Sequence, residues 1–305
     1  MKNTNISTNI YEKCTLCPRK CKADRADGKT GACGVNSNIK VARAALHYWE
    51  EPCISGKKGS GAVFFSGCSL HCVFCQNRDI SDGRLGKEIS RQRLLDIFFE
   101  LKEKGANNIN LVTPGQYIQD IVWAVENARA AGFDLPIVYN TSSYENVDNL
   151  KMLEDIVDIY LPDFKYMDST LAQKYSKAAD YPKVAMAAIE EMVRQQPKAV
   201  FDEDTGLIKK GVIVRQLLLP GHVKDAKDIL TYLHEHYGDR IYISMMSQFT
   251  PFGLEKYPEI NRRVTKREYE RYIDHAIELG VENAFIQEGD VAEESFIPAF
   301  DCEGV

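Results

Sequence analysis

The stretch FFSGCSLHCVFCQN, residues 64–77, places Cys68, Cys72 and Cys75 within eight positions of one another in a 305-residue chain that has nine cysteines in all. It continues an apolar run of strand length, AVFFS (62–66), so the spacing C-x3-C-x2-C falls on the loop that leaves a strand. Thiolates bind zinc or iron–sulfur clusters, and a structural zinc site wants four ligands. Three thiols on one tight loop would instead leave a 4Fe-4S cluster with one iron free of any protein ligand. The run also differs from the C-x2-C-x2-C followed by C-P of two-cluster ferredoxins. A zinc or ferredoxin-like site completed by Cys53 or His71 is the competing reading.

From residue 60 onward, apolar runs of strand length alternate with amphipathic stretches of helical length. That is the pattern of a parallel sheet with crossover helices. Strands are predicted at 62–66, 108–112, 136–140, 156–161, 211–219, 240–246 and 283–287. The stretch RQRLLDIFFELKEKG (91–105) typifies the helices between them, with Leu94, Leu95, Phe98 and Leu101 at helical spacing and Gly105 as its stop. Residues 200–211 read as a polar excursion or hairpin before the next strand. A parallel β/α array carries its ligand site at the C-terminal ends of its strands. Here those ends read SGC, TPGQ, NTSSYE, PDFKYMD, PGH and SQFTP, all small, polar or ionisable. One polar loop is ordinary; six together, with a cysteine triplet at the first, mark a site.

Composition narrows the function classes. Apolar residues make up 44% and charged residues 27%, and the net charge is −6 with no long basic run. Nothing in this balance marks a nucleic-acid or anionic-membrane partner. The stretch MKNTNISTNIYEK lacks a signal-peptide core, and no run approaches the roughly 20 apolar residues of a membrane span. A cytoplasmic location is expected, and in a reducing compartment clustered cysteines read as metal ligands rather than disulfides. The glycine-rich SGKKGSG (55–61) lacks the ending of a phosphate loop.

A second group, Cys14, Cys17, Cys21 and Cys33, is spaced C-x2-C-x3-C-x11-C. Residues 10–40 have too little apolar content for a core of their own, so a metal staple makes physical sense. The expected division is a Cys-rich metal-binding extension over 1–45 and a catalytic domain over 46–305. Zinc and a second iron–sulfur cluster both remain open here; zinc would be structural, whereas a cluster would relay electrons or bind substrate.

The blocks GSGAVFFSGCSLHCVFCQN, NINLVTPGQYI, PIVYNTSSYE, DIYLPDFKYMD, VIVRQLLLPG and MSQFTP, in that order, resemble the radical SAM superfamily, and within it the subgroup related to pyruvate formate-lyase activating enzymes. The resemblance spans nearly the whole chain. It implies an α/β fold, a partial (β/α)6 TIM-like barrel. It implies a 4Fe-4S cluster on Cys68, Cys72 and Cys75 that binds S-adenosylmethionine and cleaves it to a 5'-deoxyadenosyl radical, which abstracts hydrogen from a substrate.

Other positions follow from the same resemblance, residue by residue. Phe74 stands where the superfamily places an aromatic near the adenine. Thr113 and Gly115 lie in TPGQ, where the activating enzymes carry paired glycines and a glutamate, so backbone carbonyls are expected to take over the contact and Gln116 is a departure. Asn140, ahead of Thr141 and Ser142, ends the third strand; Ser143 suits a helix cap. Asp163 and Lys165, two residues apart, face one side of an extended chain. Arg215 sits in an apolar strand and needs a carboxylate partner, for which the cofactor's is one candidate. His222 and Gln248 complete the strand-end set.

The implied substrate is a protein or peptide such as a glycyl radical enzyme, with a different peptide or a small metabolite as the other reading and RNA ranked below both; a flavodoxin or ferredoxin is the expected electron donor. The alternative from another class is a non-catalytic zinc-binding protein in which both cysteine groups are structural.

Overall fold

The computed structural model describes residues 10–286 and 298–305. Among these, ten strands form: β1 (Ile39–His47), β2 (Ser60–Phe65), β3 (Lys87–Ile89), β4 (Ile109–Val112), β5 (Ile137–Thr141), β6 (Ile159–Pro162), β7 (Val200–Phe201), β8 (Ile208–Leu217), β9 (Tyr242–Met246) and β10 (Ala284–Ile286). The sheet runs in the order β10-β9-β8-β6-β5-β4-β2-β1-β3. Every neighbouring pair from β2 through β10 is parallel, while β1 runs antiparallel to β2 and β3. The array is therefore open, with β3 and β10 at its two ends. Crossover helices such as Arg91–Glu103, Ile118–Ala130, Tyr181–Gln195, Val223–Tyr237 and Lys266–Leu279 link the parallel strands. Their ends follow local chemistry. Thr265 and Glu268 form a reciprocal capping box on the last of them, an arrangement worth about 1 kcal/mol. Gly105, at φ +88°, ends the first.

Strand periodicity sorts the side chains into two layers. Val63, Phe65, Leu111, Tyr139, Tyr160, Val212 and Val214 join the large core beneath the helices. The alternate residues Val138, Ile159, Leu161 and Ile213 face the other way and pack with Cys53 and Ile54 of the short helix Pro52–Ser55. Two residues further along these same faces stand Asn140, Asp163 and Arg215. The inner face is thus apolar low on the strands and polar at their C-terminal ends.

The seven predicted parallel strands all form, within a few residues of their expected limits; the last residue of the 283–287 stretch lies outside the described residues. The hairpin expected over 200–211 is β7 pairing antiparallel with β8. β1 and β3 were not anticipated. The division drawn between residues 45 and 46 falls inside β1, which is hydrogen-bonded to β2 along its length. The C-terminal residues then seal this strand: Ala44 donates to Glu303 O, Cys302 donates to Ala42 O, and Phe300 packs edge-on against Phe64.

Candidate functional site

The strand ends surround one cavity. Cys68, Cys72, Cys75 and Phe74 line it after β2, Thr113 after β4, Asn140, Thr141 and Ser142 at β5, Asp163 and Lys165 after β6, Arg215 and Leu217 from β8, and Met246 and Gln248 at β9. Three of the loops place a non-glycine residue in the left-handed region: His71 at φ 54°, Thr113 at 56° and Ser143 at 62°. Such conformations cost about 1–3 kcal/mol each and persist only where neighbours hold them. Here neighbours do. The Gln116 amide donates to the carbonyls of Ser66, Gly67 and Thr113. Ser143 Oγ donates to Asp163 O at 2.6 Å, so it fastens one loop to the next instead of capping a helix; Asn146 holds the N-cap position.

The charged wall is a closed network. Arg215 Nε meets Asp163 Oδ1 at 2.8 Å, its Nη1 meets Glu50 Oε2 at 3.0 Å, and its Nη2 donates to Asn140 Oδ1 at 2.7 Å. Lys165 Nζ lies 2.7 Å from the other Asp163 oxygen. Arg215 does meet a carboxylate, then, but both partners belong to the chain itself. Glu50 was missed, since it precedes the first predicted strand and only the β1–β2 hairpin carries it under Asn110, Asn140 and Arg215. The demand of a strand-buried arginine for a carboxylate was the available signal.

Burial opposes charge on Asp163, but Arg215 and Lys165 outweigh it and hold the carboxyl below its usual range. Burial likewise opposes Lys165, yet Asp163 and the neighbouring Cys72 keep its ammonium protonated. Glu50 and Glu51 are pushed up by burial.

Two expected residues stand elsewhere. His222 does not line this cavity; its ring meets the Tyr175 hydroxyl at 3.0 Å. Gly115 lines a second cavity behind the loop, where a Cβ would come within 2.8 Å of the Glu145 carboxylate. Phe74 is buried against Tyr166 and Phe249 and also lines the first cavity. His47, Trp49 and Glu50 line that cavity too, without having been singled out.

The fit to a metal centre can be judged on the donor set. Cys53 packs with Val138 and Ile159 low on the inner face, and His71 Nε2 lies 2.7 Å from Ala32 O, turned toward the N-terminal segment. Neither supplies the fourth ligand a structural zinc would take, and three soft donors beside a polar cavity suit an iron–sulfur cluster with an open position. Burial raises the Cys68 thiol to about 11 and pushes Cys75 higher still, so metal uptake at this loop would release protons.

Residues 62–212 match the Radical SAM superfamily. An uncharacterized protein of Methanocaldococcus jannaschii is 26% identical over 279 residues, 89% of this chain and 76% of that one. The structure of Streptococcus suis SuiB bound to S-adenosylmethionine aligns at a TM-score of 0.50 and 13% identity, over 72% of this chain and 48% of that longer one. A domain of a pyruvate-formate lyase-activating enzyme from Bacteroides vulgatus aligns at a TM-score of 0.40 and 13% identity, over 56% of this chain and 92% of that domain. With its C-x3-C-x2-C loop at the head of an open parallel α/β array, this chain belongs to the radical SAM superfamily.

Proposed function

We propose that this protein cleaves S-adenosylmethionine reductively and uses the resulting radical to take a hydrogen atom from a polypeptide, a glycyl radical enzyme being the class of substrate in view. The superfamily implies a 4Fe-4S cluster and S-adenosylmethionine as cofactors. The observation that carries the reading is the single cavity that joins the three thiols to a polar, charge-bearing rim.

Cys68, Cys72 and Cys75 would hold the cluster, which supplies the electron that breaks the sulfonium carbon–sulfur bond. The chain's own groups have the remaining work of binding and orientation. Lys165 offers an ammonium toward a carboxylate, while Asp163 and the loop carbonyls near Thr113 accept from an amine. The network from Glu50 through Arg215 to Asp163 fixes those groups in place without a free charge. Phe74 presents an apolar edge for a base, and the aromatic packing behind it keeps that side dry. A polypeptide substrate is supported by the exposed aromatics Tyr48 and Trp49, since Trp49 lines the cavity and Tyr48 precedes it in the chain. Among the described residues no helix is long and apolar enough to cross a membrane.

The test is anaerobic reconstitution with iron and sulfide, reduction, and assay for 5'-deoxyadenosine in wild type and in Cys72→Ala. Product from the wild type alone supports the proposal. A colourless wild type that takes zinc and leaves S-adenosylmethionine intact replaces it with the zinc-binding alternative.

A further inference from the structure

Residues 14–33 lie outside the β/α units, yet they are packed against the back of the site. Cys14, Cys17, Cys21 and Cys33 line the second cavity, and Cys68, Thr113, Thr141 and Ser142 line both cavities. The two cysteine groups are joined directly: Cys68 N–H donates to Cys33 O at 3.1 Å. Gly67, at φ +89°, permits this approach, because a Cβ there would stand 2.7 Å from that carbonyl. Arg19 adds hydrogen bonds to the carbonyls of Ser69 and Leu70. On the inner side the buried Arg25 reaches Cys14 Sγ at 3.7 Å, and Ala32 N–H points at Cys21 Sγ at 3.5 Å.

Three near cysteines followed by a remote fourth also occur in plant-type iron–sulfur sites. The four thiols ring one cavity, and Cys21 and Cys33 Sγ each lie 3.5 Å from the point where a Gly31 Cβ would be. The outer edge is basic. Lys20, Lys22 and Lys29 are exposed around the exposed Cys21, and residues 14–33 carry five Lys or Arg against two Asp in a chain of net charge −6.

We propose that Cys14, Cys17, Cys21 and Cys33 hold a second iron–sulfur cluster through which an acidic, low-potential one-electron carrier protein reduces the strand-end centre. This rests on the radical reading above. One electron leaves the carrier and reduces the N-terminal cluster. That cluster is then reoxidised as the strand-end cluster is reduced, with the Cys33–Cys68 hydrogen bond as the shortest bridge. No covalent bond forms or breaks.

The test compares wild type with Cys17→Ser/Cys21→Ser, Lys20→Glu/Lys22→Glu and Cys68→Ala/Cys72→Ala/Cys75→Ala, each purified anaerobically. Iron, sulfide and zinc are counted per chain. Low-temperature EPR then follows reduction by dithionite and by photoreduced flavodoxin. About eight irons are expected in wild type and in the lysine variant, and about four in each cysteine variant. Reduction of the strand-end signal by flavodoxin should slow about tenfold or more in the first two variants, with dithionite reduction retained. Zinc in the triple-cysteine variant overturns the second cluster, and flavodoxin rates equal to wild type in both other variants overturn the relay. A triple-cysteine variant that keeps all the wild-type iron counts instead against the strand-end centre, and so against the proposed function.

Discussion

The loop Cys68–Cys75 and the segment Cys14–Cys33 both present thiols to cavities, but their surroundings differ in kind. The loop has three thiols and opens onto charged groups that follow β1 and β6 or lie on β8: Glu50, Asp163, Lys165 and Arg215. The segment has four thiols, and the buried Arg25 and Glu145 are the charged groups lining its cavity. A coordination set short by one ligand and facing a polar cavity is arranged to receive a molecule. A set of four thiols, with Cys14 and Cys33 buried and Cys21 exposed, has ligands enough to complete a coordination sphere. The contrast lies in ligand number and access, not in sulfur chemistry.

Cys72→Ala should divide the two regions most sharply. Cleavage of S-adenosylmethionine is expected to fall by about three orders of magnitude or more, measured as 5'-deoxyadenosine, while any metal on the proposed second centre of residues 14–33 should remain.

Arg215→Met comes next, because it leaves the buried Glu50 carboxylate without its cation and Asp163 with Lys165 alone. A loss of about 3–5 kcal/mol is expected in denaturant unfolding; a loss under about 1 kcal/mol would show that the network is solvated after all.

Glu145 tests the boundary between the regions. Burial raises its carboxyl to about 7, against the pull of the Thr141 and Tyr139 hydroxyls. The folded state therefore holds a proton that the unfolded state has released, and stability is greatest below the ordinary Glu value of about 4.3 and falls as pH rises toward 7. Metal-free wild type should lose about 3 kcal/mol across that window, while metal-free Glu145→Gln should show a flatter profile.

The smallest effect is expected from Gly67→Ala, which sets a Cβ against Cys33 O and forces a positive φ on alanine. A destabilisation of about 1–3 kcal/mol would be read from the shift in the denaturant midpoint.

The parallel strands were legible because each is an apolar run bounded by turn residues, and Val138, Ile159 and Ile213 alone predict which face is dry. β1 was not, since IKVARAALH mixes charge into an alternating pattern and its partners lie on both sides of a long loop. The site was legible where chemistry sits on the strand end itself, as at Asn140, Asp163, Lys165 and Arg215. It was hidden where the chain returns from afar, as with Glu50, which meets Arg215 across 165 positions. His222 shows the converse. A histidine after a strand reads as a site residue from sequence, yet it meets Tyr175, whose hydroxyl also donates to Glu259 and whose ring stands between it and Phe74.

The hydrogen bond from Cys68 to Cys33 has a thermodynamic side as well. Ordering either loop holds one end of the bond that the other loop needs, so the conformational entropy lost on filling one centre is not lost again at the second. Linkage then requires the effect to run both ways. On the proposal of two centres, metal taken up at either loop would favour uptake at the other, and removing one set of thiols would loosen the remaining centre while leaving it filled.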